Sequence, residues 1–466
     1  AMEHFFSSMA LLLSELAPQP HHKQHSSQEG PEASLRVNNK VRNTPGWKGV
    51  EQAWAEMERT LLALTSRLER LAQALEGRAE ASDSSRAGAA ALDSSAPGVG
   101  LAVEVSGVYF QLQDVIGRGR LIMTQPRREM VYWVKPTPPP LPPRSPATTG
   151  YAGPKAETPP PAPLPPSLNA APMHAAPMLQ QTVFRADRAA VLVDTVLTVD
   201  GQFEFTADHL GLTPERVATL SIAPPRRPES LLYLPEDVAE PNTSRFQKHL
   251  DDLIMRLATA LSGETVVMCA SHAALRASYA NIKATLEERG ILVLAQGPDG
   301  SIRQIWQTYR TQGRTVILGA GSFWENNDFP GEGPACVIIP RLPFPPLSDP
   351  AQAGRADGLQ DQLRQYVLPQ ATLKIRQGLN RLAWGSGRRN AIVLFDKRIQ
   401  AKDYGAVFQN SLPRCTVRQG TTAQAPDQVA VWIRGDSLEE SPRKEAEEEK
   451  EESPGRDARD DEQTSQ

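Results

Sequence analysis

Four residues in one stretch, Ser322, Trp324, Glu325 and Asp328, stand where a plain connecting loop needs none of them. The stretch begins with TVILGA at residue 315, continues as GSFWENNDFPGEGPA, and ends in CVIIPRL. TVILGA and CVIIPRL are apolar, β-branched runs of the kind that form buried strands. In an open α/β sheet, ligands bind beyond the carboxyl ends of such strands. A polar, aromatic and acidic loop between two core strands is therefore a candidate binding loop. An ordinary connection would use only its Gly and Asn, for turn geometry. Two further strand tips carry polar groups: TVVMCASH ends in Ser271 and His272, and ILVLAQG brings Gln296. A hydroxyl at a strand tip can hydrogen-bond a phosphate without reading base sequence.

Phosphoryl transfer needs a phosphate cradle, a metal-holding acid, a water-orienting residue and cations that meet the developing charge. The sequence contains neither a Gly-x-x-x-x-Gly-Lys-Ser/Thr loop nor an Asp-Glu-x-His box. It therefore carries no nucleotide cradle of its own.

The elements that must position these residues alternate regularly from Leu231 onward. LLYLP, TVVMCASH, ILVLAQG, TVILGA, CVIIPRL and NAIVLFD read as strands, and residues 243–261, 273–289, 301–312 and 362–382 as helices. Strands alternating with helices of this length predict an α/β fold, a parallel sheet covered on both faces. Upstream, residues 3–16 form a helical pattern through Phe5, Met9, Leu12, Leu13 and Leu16. Trp54, Met57, Leu61, Leu64, Leu68, Leu71 and Leu75 recur at spacings of three and four, predicting a helix over 45–75 that packs along another helix. Residues 77–100 read as a flexible linker. VEVSGVYFQLQDV and REMVYWVKP, within 101–135, read as strands. Residues 136–172 read as a proline-rich disordered insertion, open to protein contacts. AAVLVDTVLTVDG supplies an expected buried strand over 189–198.

Composition sets limits. The 466 residues have room for about three domains, and the 41 prolines point to unstructured segments among them. A net charge of −4 gives no global basic excess, so nucleic-acid binding requires a local groove. The cysteines Cys269, Cys336 and Cys415 are far apart and lack a CxxC pair, which reads as reduced core thiols in a cytoplasmic protein with no metal site. No segment has the length of a membrane span. Residues 436–466 form an acidic tail, expected to be disordered and available for protein contacts. The chain opens Ala1-Met2 inside an amphipathic pattern, as though its start were missing.

SFWENNDFPGEG followed by VIIPRLPFPPLSDP closely resembles motif V and its continuation in the DinG/XPD-like superfamily-2 DNA helicases. LKIRQGLNRLAWGSGRRNAIVLFDKR resembles their motif VI and the strand after it. The resemblance runs over roughly residues 173–413, in the family's order and spacing. It implies a RecA-like second lobe at 228–435, preceded by a helical arch-like segment at 1–76. Part of the first lobe would lie at 101–135, and its end, with an altered motif III, at 173–227. Arg381 matches the motif VI arginine that reaches the γ-phosphate, with Gln377 beside it, and a guanidinium suits that task because it stays charged and binds oxygens in a planar fork. By the same resemblance Glu325, Asp328, Gly378 and Arg381 belong to the ATP site. Ser271, His272, Gln296, Ser322 and Trp324 belong to the nucleic-acid groove.

ATP and Mg would bind only together with a first lobe supplied from the same gene or another chain. Single-stranded or forked DNA is the implied partner and DNA repair the implied setting. The iron–sulfur cluster of the XPD branch has no counterpart. Four departures stand out: Asn326-Asn327 for Gly-Val, Asn380 for Gly, Trp384 for a second arginine, and Val193-Asp194-Thr195-Val196-Leu197 for Thr-Ser-Ala-Thr-Leu. The changes at Val193-Asp194, Asn380 and Trp384 support an alternative, a non-hydrolysing nucleic-acid-binding or scaffold protein descended from such a helicase. Under either reading the chain is expected to be inactive in ATP hydrolysis alone.

Overall fold

The computed structural model describes residues 1–16, 34–84, 97–137, 164–194, 196–222, 230–241, 243–325, 333–385, 389–412 and 415–435. The linker residues 85–96, most of the proline-rich insertion, the loop 326–332 with Asp328, and the acidic tail lie outside this set.

The N-terminal part is a helical unit closed by a small sheet. It comprises α1 (Met2–Leu16), β1 (Leu35–Arg36), α2 (Asn39–Arg42), α3 (Pro45–Ser84), α4 (Pro97–Met123), β2 (Met130–Lys135) and β3 (Ser167–Pro172). Phe5, Met9 and Leu12 of α1, Trp47, Val50 and Trp54 of α3, and Tyr132 and Val134 of β2 share one core. The three strands run antiparallel in the order β1-β2-β3.

Several expectations are corrected here. VEVSGVYFQLQDV is not a strand but the middle of α4. Its half-buried and buried positions, Ala102, Val105, Tyr109, Leu112, Ile116 and Gly119, follow spacings of three and four. That stripe lies along α3, and tertiary packing overrides the β-propensity of Val and Tyr. Gly119 makes the closest approach possible, since a Cβ there would lie 1.9 Å from the Trp54 ring. On α3 the packed stripe follows the predicted Trp54, Met57, Leu61, Leu68 and Leu75, but Thr65 and Ala72 take the places expected for Leu64 and Leu71, which are exposed. The insertion is shorter than predicted, because 167–172 pair with β2 from Met130↔Pro172 to Lys135↔Ser167.

Residues 173–222 contain α5 (Ala176–Thr182) and α6 (Glu204–Leu210). The expected strand at 189–198 does not form among the described residues, and Val191 and Val193 are 85% and 88% exposed. Its sequence suits a strand with both faces covered, but among the described residues no neighbouring strand pairs with it.

The remaining elements form the expected α/β lobe. They are β4 (Ser230–Pro235), α7 (Ser244–Ala260), β5 (Thr265–Met268), α8 (His272–Glu288), β6 (Leu292–Ala295), α9 (Ile302–Thr311), β7 (Thr315–Gly319), β8 (Cys336–Ile339), α10 (Pro350–Ala356), α11 (Leu368–Gly385), β9 (Asn390–Leu394), α12 (Arg398–Ala401), α13 (Gly405–Ser411), β10 (Cys415–Gly420) and α14 (Ala425–Arg434). The seven strands β4 to β10 pair in the order β10-β4-β9-β8-β5-β7-β6, and every pairing is parallel. The core alternates by residue. Val267, Leu318, Ile338 and Val393 pack towards α7, α8 and α14, whereas Val266, Ile317, Val337 and Ile392 pack towards α9, α11 and α13. Each such side chain removed from water contributes about 1.5–3 kcal/mol. This is a RecA-like lobe. Its last strand and helix, β10 and α14, lie past the resemblance and carry only weak sequence signals.

Candidate functional site

In the sheet order, β5, β7 and β6 are neighbours, so the loops at their carboxyl ends open side by side. Parallel pairing puts all three tips on one edge. Ser271 follows β5 and caps α8, its Oγ accepting a hydrogen bond from the Ala274 N–H at 3.2 Å. A hydroxyl that accepts one bond still has a proton to donate. His272 begins α8, with its Nε2 3.3 Å from where a Cβ of Gly321 would stand. Gly321 itself has φ of 58°, in the left-handed region that favours glycine. Gln296 joins the other two tips. Its Oε1 accepts from the Ala320 N–H at 2.9 Å, and its Nε2 donates to Ser322 Oγ at 3.3 Å. Ser271, His272, Gln296 and Ser322, chosen from sequence, thus share one edge of the sheet.

Trp324 departs from expectation. It ends a short 3₁₀ turn, Gly321–Trp324, and is 1% exposed. Its indole N–H donates to the Cys269 carbonyl at 3.1 Å. An apolar ring between two strand ends is worth more in the core than in water, so the indole points inward and offers no surface to a strand. Glu325 follows it and is exposed.

Behind this turn lies α11. Gln377 is half-buried and Gly378 fully buried, and Arg381 occupies the next turn of the same helix. Arg376 points towards the segment at 198–202. Its Nη1 donates to Thr198 Oγ1 at 2.6 Å and also to the Thr198 carbonyl. Partial burial pushes the Arg376 pKa down from its ordinary value. The Val199–Gln202 turn is tied further, Asp200 N–H donating to Ser411 Oγ at 3.0 Å and Asn410 Nδ2 to Asp200 Oδ1 at 3.1 Å. Above it, the His209 ring stacks on Tyr366 with centroids 6.1 Å apart. One segment therefore clasps α11, α13 and the turn just before α11. Sequence reasoning missed the clasp because Arg376 and Thr198 are far apart in the chain and neither carries a local pattern.

The loop after β8 is locked in a different way. Asp396, buried at the end of β9, accepts from the Leu342 N–H at 2.9 Å. Arg398 meets the same carboxylate with its Nε at 2.9 Å and Nη2 at 2.6 Å. The Arg398 guanidinium lies over Phe344, 5.1 Å from the ring centroid. Arg341 sits over Phe246 at 4.6 Å and donates to the Pro241 carbonyl.

The described residues do not by themselves fit ATP with Mg. Among them no three His, Cys, Asp or Glu stand close enough together to hold a metal, and the sequence has no phosphate cradle. Burial raises the Cys269 thiol to about 12 and that of Cys415 to about 12, which leaves both protonated and inert. No helix among the described residues is long and apolar enough to cross a membrane.

Residues 254–415 match the family model of the helicase C-terminal domain. The 3'-5' exonuclease DinG of Bacillus subtilis is 28% identical over 271 residues, covering 56% of this chain and 29% of that protein. The ATP-dependent DNA helicase YoaA of Escherichia coli is 26% identical over 248 residues, covering 52% of this chain and 38% of that protein. Among solved structures, an XPD helicase overlaps 47% of this chain and 40% of its own at 14% identity, with a TM-score of 0.35. The matched region spans well under half the length of either curated relative. Over residues 254–415 this chain is thus similar to the helicase C-terminal domain, and the two curated relatives it resembles are a DinG exonuclease and a YoaA helicase.

Proposed function

We propose that the chain supplies the second motor lobe of an ATP-dependent DNA helicase. In this reading Ser271, His272, Gln296 and Ser322 hold the backbone of a single strand, and α11 presents Gln377 and Arg381 to a nucleotide. The observation that carries it is the convergence of Ser271, Gln296 and Ser322 on one sheet edge. Hydroxyl and amide groups at strand tips suit sequence-independent contacts to phosphate. The phosphate cradle and the metal-holding acid belong to a first motor lobe, on the same polypeptide or another. The exposed 189–193 run, β-branched and apolar on both faces, is fitted to enter that lobe's sheet. Glu325 and Asp328 then lie between nucleotide and DNA. The reading also places the protein in DNA repair in the cytoplasm.

Fluorescence anisotropy with labelled single-stranded and forked DNA tests the first part. Binding should weaken about twofold to tenfold for each of Ser271→Ala and Ser322→Ala, the worth of one hydrogen bond. No binding, or binding indifferent to both changes, would sink it. With a first lobe supplied, Arg381→Ala should lower ATP turnover about a thousandfold, whereas the chain alone should turn over none. DNA binding without turnover in any combination would favour the non-hydrolysing alternative.

A further inference from the structure

Trp324 stands where three functional elements meet. Its indole N–H reaches the carbonyl of Cys269, two residues before Ser271 at the tip of β5. Its backbone belongs to the turn that carries Ser322, at the tip of β7. Its ring faces Gly378, next to Gln377 and one turn before Arg381 on α11. The fit at Gly378 leaves no spare room: a Cβ there would lie 2.9 Å from Trp324 Cε3 and 2.7 Å from Met268 Cε. A contact this close transmits displacement in both directions, because packed interiors are rigid and a gap of half an ångström forfeits contact energy. The hydrogen bond to Cys269 fixes the ring plane, so the indole cannot simply slide when the turn moves.

We propose that Trp324 is a positioning residue, a buried wedge that couples the strand tips facing nucleic acid to the placement of α11. The inference rests on the reading of those tips as a nucleic-acid surface. A strand held by Ser271 and Ser322 would shift the 3₁₀ turn, and the turn would carry the indole against Gly378. The helix bearing Gln377 and Arg381 would then move as a unit. The absence of a side chain at Gly378 is what allows ring and helix to touch.

Hydrogen exchange of the α11 amides, measured on the full chain with and without saturating single-stranded oligodeoxythymidine, tests the coupling. In the wild-type chain, oligonucleotide should change the exchange of α11 about fivefold or more, the range of ordinary coupling between sites. In Trp324→Phe, which keeps a ring but loses the indole N–H, that response should vanish at saturation. Gly378→Ala should displace the ring, so that α11 exchange already differs without oligonucleotide and no longer responds to it. Should the alanine variant fail to fold, the phenylalanine variant still decides. Binding by the wild-type chain with no change in α11 would overturn the wedge and leave the nucleic-acid surface standing, as would an intact response in Trp324→Phe. No binding by the wild-type chain would overturn both.

Discussion

TVILG at 315–319 and AAVLV at 189–193 are near-equivalent as sequence, short apolar runs rich in β-branched or aliphatic residues. In the structure they are opposites. The first is β7, hydrogen-bonded to β5 on one side and β6 on the other and buried at every residue. The second forms no strand in the described chain, with its valines in solvent. The difference lies in the neighbours. A parallel strand is stable only when strands flank it and helices cover both faces, since an unpaired peptide group costs about 1–3 kcal/mol once buried. Among the described residues the exposed run thus lacks the flanking strands that hold the buried run.

Replacements can break this contrast, and the largest effect should come from inside the lobe. Asp396 is 1% exposed and takes four donors, the Leu342 N–H and the backbone N–H, Nε and Nη2 of Arg398. Asp396→Ala strips Arg398 of its counterion and should cost about 3–5 kcal/mol, read as a fall in the midpoint of urea unfolding. A cost under about 1 kcal/mol would mean that surface exposure already screens the pair. Next is the direct test of the two runs. Ile317→Ala, in the middle of β7, should cost about 2–5 kcal/mol. Val193→Ala should stay within about 0.5 kcal/mol in the same assay. Equal costs would show that 189–193 is buried in solution and end the comparison.

A smaller effect should separate the clasp from the sheet. Arg376→Ala removes two charge-assisted bonds to Thr198. Because the guanidinium is half-buried, about 1.5 kcal/mol, the low end for such bonds, is expected. Limited proteolysis should then cut within 189–202 sooner, at an unchanged unfolding midpoint of the sheet. Simultaneous loss of both would make the clasp part of the core rather than a tie laid across it.

The same contrast explains what was legible in the sequence. In the lobe, local signals mostly agree: β4 to β9 are continuous apolar runs with amphipathic helices among them, so these strands and the residues at their tips could be read directly, whereas β10, Cys-Thr-Val-Arg-Gln-Gly, carries no such run. The α4 region failed because its valines and aromatics fit a strand as well as a helix, and only α3 decides between them. Its spacing from Ala102 through Tyr109 to Ile116 was the signal that could have shown it. The 189–198 run failed for the reverse reason: its sequence suits a buried strand, but among the described residues no strand pairs with it. Trp324 was read by its place in a functional loop, but the direction of a side chain depends on the gap left by Gly378, more than fifty residues away. Contacts of that kind leave no local pattern.

The smallest effect concerns pH and tests how firmly α6 is held. His209 donates from Nδ1 to the Phe205 carbonyl at 2.9 Å, one turn earlier in α6, while its ring stacks on buried Tyr366. Desolvation is the main cause that lowers its pKa, with His174 and Arg355 adding to it. The Phe205 carbonyl and Asp208 oppose the shift. A lowered pKa in the fold means that the neutral ring is preferred there. The stacking contribution is therefore complete above the ordinary histidine value of about 6.5, and is lost as pH falls below it towards the folded value, because the undocked state takes up the proton first. Since part of the ring is exposed to water, the loss should be slight and local. Exchange of the α6 amides, corrected for the intrinsic effect of pH, should quicken on acidification while that of β7 does not. His209→Phe, which keeps a ring and cannot be protonated, should remove the pH dependence. If α6 and β7 respond alike, the clasp is no weaker than the sheet, and the contrast between the two regions is one of pairing alone.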